Sequence, residues 1–170
     1  SDFVAKQLQL NSDLLRDKVS SSDILAHTSN MLISYGTLSD AIDVTYDIGN
    51  KADGIKIYKY LSEFINELFF SFPNEFMGDI VEVRSKSLIN ANSMFYGYFT
   101  LSKLMRDNEI PLSCLSEILT DVDFSRENKM WKDLKVIDNK GRITNTAKNN
   151  IIKYFNTINL DKFKGGVKID

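Results

Sequence analysis

Apolar residues recur every three or four positions through most of this chain, which is the spacing of an amphipathic α-helix. The clearest repeat predicts a central helix over about 87–107, with Ser87 as its N-cap. A second, wide stripe follows the GNKADG loop at 49–54 and stops at Pro73, which cannot continue a helix. The pattern therefore predicts a mainly α protein built as a helical bundle.

Shorter periodic segments complete the predicted body. Apolar positions favour a helix over about 23–47, although Gly36 within it costs roughly 1 kcal/mol relative to alanine. Residues 1–17 are expected to contain one or two helical turns, and 112–119 another short helix.

The pattern changes after residue 120. Residues 121–160 predict a module of a short helix, a small β-hairpin and a final amphipathic helix, followed by a tail at 161–170. The hairpin turn is Asp138-Asn139-Lys140-Gly141, in which Gly141 occupies the position that favours a positive φ. The fold class is thus a helical bundle with a small C-terminal β-hairpin.

Charge divides the chain in the same place. Residues 1–125 carry 10 Lys and Arg against 18 Asp and Glu, a net charge of −8, whereas 126–170 carry 11 against 5, a net of +6. We therefore interpret the chain as a single domain of an acidic helical body (1–120) and a basic module (121–160). The basic end is a candidate surface for anions or nucleic acid.

The candidate DNA contacts are basic side chains of two groups. A basic face attracts phosphates in a salt-sensitive, sequence-independent way, but it is also a common solvated counterpart to an acidic body. The predicted phosphate contacts of the module are Arg126, Lys132, Arg142, Lys148 and Lys153, and a second patch is predicted at Arg84 and Lys86.

Catalytic chemistry has little support in the sequence. The single cysteine, Cys114, and the single histidine, His27, lack the partners that a disulfide, a metal site or a nucleophilic dyad needs. No phosphate-binding or dinucleotide glycine pattern occurs. We expect no enzyme activity and no cofactor; the weakest alternative is a nuclease using Asp121, Asp123 and Glu127. No apolar run reaches the ~20 residues of a membrane span, and a cytoplasmic protein is expected.

The run DVDFSRENKMW, followed by the turn Gly141-Arg142-Ile143, resembles the C-terminal part of the DGQHR-domain family, which includes the DndB-type regulators of bacterial DNA phosphorothioation (sulfur modification). Phe124 stands where that family usually has Trp. Matching positions of the run are Asp123, Phe124, Ser125, Arg126, Asn128 and Trp131.

Two further blocks resemble the same family in the same order. They are VEVRSKSLINANSMFYGYFTL, in which Arg84 matches a family arginine, and DKVSSSDILAHTSNMLISYGTLSDAI. Asn90 and Asn92 stand where the family often has histidine. The DGQHR signature itself is absent from the chain and would lie upstream.

The resemblance implies a DNA-binding, repressor-like regulator of DNA sulfur modification, with this chain as the C-terminal helical part of a longer protein. The alternative is a protein-interaction or oligomerisation module that binds a second copy or the upstream part of its parent protein without touching DNA. An extensive exposed apolar patch would favour the protein-interaction module, and a continuous basic face would favour the DNA-binding regulator.

Overall fold

A central helix, α6 (Met94–Asp107), organises the computed structural model, which describes residues 1–22, 25 and 29–165. Ten of its 14 residues are buried, so it contacts neighbours on nearly every side. It packs between α2 (Tyr35–Thr45) and α9 (Ala147–Phe155). The predicted mainly α class is confirmed.

The other elements surround this helix. The only sheet among the described residues is one parallel pair, in which Val19 pairs with Ile33 and Ser20 with Ser34. The remaining elements, in chain order, are α1 (Asp2–Asn11), β1 (Val19–Ser20), β2 (Ile33–Ser34), α3 (Lys51–Ser71), α4 (Pro73–Met77), α5 (Ile80–Lys86), α7 (Leu115–Thr120) and α8 (Lys129–Asp133), with 3₁₀ turns at Leu112–Cys114 and Asp161–Phe163.

The apolar stripe of α3 is buried as predicted, from Ile57 to Phe69. The helix begins earlier than expected, because the side chain of Asn50 accepts a hydrogen bond from the Asp53 N–H (2.9 Å) and caps it. The predicted loop at 49–54 is therefore helical from Lys51. Pro73 ends α3 and serves as the first residue of α4, where it needs no N–H partner.

The helix predicted over 23–47 is wrong in its first half. Residues 29–32 are not helical, Ile33–Ser34 form β2, and α2 begins only at Tyr35, where the Ser34 hydroxyl accepts a hydrogen bond from the Thr37 N–H (3.1 Å). Arg84 holds the preceding segment by donating to the carbonyls of Ser29 and Met31, at 2.7 Å each. The beginning of the predicted helix, including His27, lies outside the described residues.

The helix predicted over 87–107 is also shorter than expected. Ser87 ends α5 and forms an isolated antiparallel bridge with Ser125, so it is not the N-cap of α6. Asn90 is fully buried and donates to the carbonyls of Glu75 (2.8 Å) and Ile80 (3.1 Å). Asn92 accepts from the Ser34 N–H (2.9 Å). These tertiary hydrogen bonds require a turn where local periodicity predicts a helix.

The C-terminal hairpin is present in reduced form. Ile137 and Ile143 form a single antiparallel bridge, and the Asp138 N–H donates to the Arg142 carbonyl (2.8 Å). Gly141 has a φ of 79°, as its place in the predicted turn requires. The structure also places α8 before this turn and α9 after it, in the predicted order.

Aromatic packing attaches the module to the body. Tyr98 of α6 contacts the ring of Phe155 edge-on, with ring centroids 5.9 Å apart. Trp131 is fully buried and stacks on Phe124 with a centroid distance of 6.0 Å. Gly97 allows α9 to approach α6 closely, because any β-carbon at that position would overlap the Phe155 ring.

We expect Gly97→Ala to lower the free energy of unfolding, measured by urea denaturation. Overpacking of a tight core costs about 1–3 kcal/mol, which exceeds the roughly 1 kcal/mol that alanine gains over glycine in a helix. Gly49→Ala is the matched control, because its β-carbon would lie 3.6 Å from its nearest neighbour. A Gly97→Ala protein as stable as the wild type would contradict the close α6–α9 contact.

Candidate nucleic-acid interface

Hydrogen bonds to one side-chain oxygen and one main-chain carbonyl fix the first helix of the module. The Asn128 side chain accepts from the Met130 N–H (3.1 Å) and caps α8. The Asp123 carbonyl accepts from the Trp131 indole N–H (2.9 Å) and from the Asn128 amide (2.8 Å). These contacts set the direction in which α8 presents its cations.

Two predicted contacts, Lys132 and Lys153, are exposed and make no ion pair with any described residue. A third exposed cation, Lys135, has a φ of 58°, and its N–H donates to the Lys132 carbonyl (2.9 Å). The Lys135 carbonyl accepts from the Thr144 hydroxyl and from the Asn150 amide (3.4 Å). Because Lys153 lies three residues after Asn150 on α9, we infer that these lysines share one side of the module. We name Lys132, Lys135 and Lys153 the basic edge.

Arg142 is exposed but already paired with an acid. Its Nε lies 3.0 Å from Oδ2 of Asp138, and its N–H donates to Oδ1 of the same carboxylate (2.9 Å). The hydrogen bond from the Arg142 N–H is the main reason that the pKa of Asp138 is lowered. This carboxylate reduces the positive charge that the hairpin presents to an anion.

Lys148 is paired across the fold. Its Nζ lies 2.6 Å from Oδ2 of Asp40, which also accepts from the Tyr96 hydroxyl (2.6 Å), and it sits 5.2 Å from the centre of the Tyr96 ring. Burial alone raises the pKa of the Asp40 carboxyl, but the hydrogen bonds from Lys148 and Tyr96 outweigh it and hold that pKa below its ordinary value. We call these three residues the clasp.

Arg126 is half-buried and joins α5 to the hairpin. Its Nε donates to the Arg84 carbonyl (2.7 Å) and its Nη1 to the Gly141 carbonyl (2.9 Å). Burial lowers the pKa of its guanidinium, and no described residue forms an ion pair with it. Arg126 therefore has a structural role in addition to its predicted role in binding phosphate.

The second predicted patch is not an exposed pair of cations. Arg84 is only 5% exposed, and its pKa is lowered by burial and then by the nearby Arg126. Its guanidinium faces the carbonyls of Ser29 and Met31 rather than solvent. Lys86 is exposed but lies 2.8 Å from Glu82, whose hydrogen bond raises the pKa of the lysine.

Three of the residues described above were not predicted from the sequence: Lys135, Asn150 and Asp40, which is the carboxylate of the clasp. Lys135 lies after the end of α8 with a φ of 58°, so helical spacing from Lys132 gave no signal for it. Asp40 carried no local signal either, because 108 residues separate it from Lys148.

The acidic residues are also candidate metal ligands. No group of three or more His, Cys, Asp or Glu side chains there could hold a metal ion. Asp123, one of the candidate nuclease acids, accepts from the Ser125 N–H (2.9 Å) in a local turn. No described helix combines the length and apolar character needed to span a membrane.

Comparison with known proteins gives one relative of note. The chain is 32% identical over 170 residues to the SPbeta prophage-derived uncharacterized protein YopQ of Bacillus subtilis (strain 168). The similarity covers 95% of this chain but 36% of YopQ, so the chain spans about a third of the length of that relative. No family model and no solved structure matches the chain.

We expect Arg126→Met to lower the free energy of unfolding by about 1–3 kcal/mol, because the carbonyls of Arg84 and Gly141 lose charged hydrogen-bond donors. Urea denaturation would measure the loss. Lys132→Met removes one charge from an exposed side chain and is the control that should leave stability within about 0.5 kcal/mol. Equal stabilities of the two variants would show that Arg126 does not hold the hairpin.

The clasp predicts a dependence of stability on pH. Because the folded-state pKa of Asp40 lies below its ordinary value of 3.8, its contribution is present above that pH and is lost as the pH falls through the folded-state pKa. Asp40→Asn should therefore lower the free energy of unfolding at neutral pH, by no more than about 1 kcal/mol for so exposed a pair. The difference should shrink in acid. Asp43→Asn, at an exposed position of the same helix, should show neither effect.

Proposed function

We propose that this chain binds the DNA backbone through the basic edge and serves as the C-terminal, regulatory part of a longer protein. The observation that carries the proposal is that Lys132, Lys135 and Lys153 are exposed and have no acidic partner among the described residues, whereas Lys129, Arg142 and Lys148 of the same module are paired with acids. Lys140, in the hairpin turn, is likewise exposed and forms no ion pair with a described residue. The link to repression and to DNA phosphorothioation rests on the resemblance to the DGQHR-domain family alone.

Binding of this kind needs no reaction chemistry. Lysine ammonium groups and the amide of Asn149 can donate hydrogen bonds to phosphate oxygens, which positions a protein on the duplex without reading its sequence. Each neutralised phosphate releases counterions, so affinity falls as salt rises. Arg126 adds a fixed guanidinium beside the hairpin.

Two of the phosphate contacts predicted from the sequence, Lys148 and Arg142, are already paired with carboxylates. A lysine that already binds a carboxylate gains less from a phosphate, because the ion pair has to be broken first. We therefore rank Lys132, Lys135 and Lys153 above Lys148 and Arg142 as DNA contacts.

A protein-interaction module is the second candidate function. Phe3 and Leu10 lie seven residues apart on α1 and are 37% and 60% exposed, so one side of this helix presents apolar surface. Sedimentation of the isolated chain would detect self-association through that side.

We expect labelled duplex DNA to bind this chain at about 50 mM salt and to bind far more weakly at about 200 mM, measured by fluorescence anisotropy. The double variant Lys132→Ala, Lys153→Ala should bind roughly tenfold more weakly. Its slope of log affinity against log salt should be less steep, by the amount expected for the loss of about two phosphate contacts. The control, Lys56→Ala with Lys59→Ala, removes the same charge from exposed positions on α3.

Two further results decide the proposal. Asp40→Asn should strengthen DNA binding, because it frees Lys148 from its ion pair. Asp43→Asn removes the same charge without freeing a lysine, so it should strengthen DNA binding less. No binding at low salt, or equal losses in the two double-lysine variants, would reject the basic edge as a DNA surface.

A further inference from the structure

A separate cleft of about 540 Å³ opens beside α5, and no residue of the basic edge lines it. Its walls come from the end of α3, the α4–α5 segment and the chain that follows α7. The apolar side chains lining it are Phe72, Val83, Ile89, Leu119, Val122 and Phe124.

The charged residues that line this cleft are mainly acidic. Two carboxylates, Glu75 and Glu82, lie among its lining residues. The only cation among the residues that line it is Lys86, whose Nζ lies 2.8 Å from Glu82. Glu75 forms no ion pair with any described residue. The cleft thus combines an apolar floor with an excess of carboxylates.

The walls are held in place by buried contacts. The Asn90 amide donates to the carbonyls of Glu75 and Ile80, which ties the α4–α5 segment to the turn that carries Ile89. On the opposite wall, the Phe124 carbonyl accepts from the Leu88 N–H (2.8 Å). A cleft that is preformed loses less conformational entropy when it binds a ligand.

We propose that this cleft binds a segment of a partner polypeptide in which an apolar side chain lies next to lysine or arginine. The apolar side chain would cover the floor and release water from it, while the basic neighbour would meet Glu75, with Glu82 shared with Lys86 beside it. The volume lies within the range of about 300–1,000 Å³ that is usual for ligand sites. No residue of the basic edge lines the cleft, so the inference does not rest on DNA binding.

The single tryptophan provides the readout. Trp131 stacks on Phe124, which lines the cleft, so an occupant should change its fluorescence. The probes are three short tryptophan-free peptides: alternating Leu and Lys, alternating Leu and Glu, and alternating Ser and Lys. We expect saturable binding of the Leu–Lys peptide, and binding at least tenfold weaker for the other two.

Matched variants locate the binding. Glu75→Gln with Glu82→Gln should weaken the Leu–Lys peptide several-fold, whereas Asp43→Asn with Asp47→Asn, which removes the same charge from exposed positions elsewhere, should not. Equal binding of the Leu–Glu peptide, or equal losses in both variants, would overturn the inference. Self-association of the peptide-free protein that disappears in the Glu75→Gln, Glu82→Gln variant would also overturn it, in favour of a second copy as the occupant.

Discussion

The contact between α6 and α9 is the constraint on which the rest of this structure depends. Gly97 leaves room for the Phe155 ring to lie against the α6 backbone, and Tyr98 meets the same ring edge-on. This contact fixes α9, and α9 carries Lys148 to Asp40 and Lys153 to the basic edge. The position of the charged groups is therefore a consequence of aromatic packing rather than of charge attraction. Exposed ion pairs are individually too weak to set such an arrangement.

Some of the cations of the module are already paired with carboxylates within the fold. Lys148 is paired with a carboxylate of the body, and Arg142 with a carboxylate of its own turn. Composition counts these cations equally with Lys132 and Lys153, although a phosphate would meet the two sets differently. The useful quantity for an anion site is the number of cations that have no acidic partner, and this number depends on tertiary structure.

Local signals predicted much of the fold and failed at identifiable places. The buried stripe of α3 and the positive φ of Gly141 follow from periodicity and turn chemistry, which are local properties. The late start of α6 does not, because Asn90 hydrogen-bonds to carbonyls 10 and 15 residues away along the chain. Lys132 and Lys153 of the basic edge were predicted from the local sequence, whereas Lys135 was not. The pairing of Asp40 with Lys148 was not predicted either, because 108 residues separate the two.

Arginine has a different role from lysine in this protein. Arg84 and Arg126 together connect the segment at 29–31, α5 and the hairpin, in each case by donating to main-chain carbonyls. A guanidinium suits this task because its several N–H groups point in fixed directions, while an ammonium on a flexible stem does not. Satisfying partly buried carbonyls stabilises a fold whose described residues form only one short strand pair. The lysines, which remain at the surface, are then the residues available to a partner.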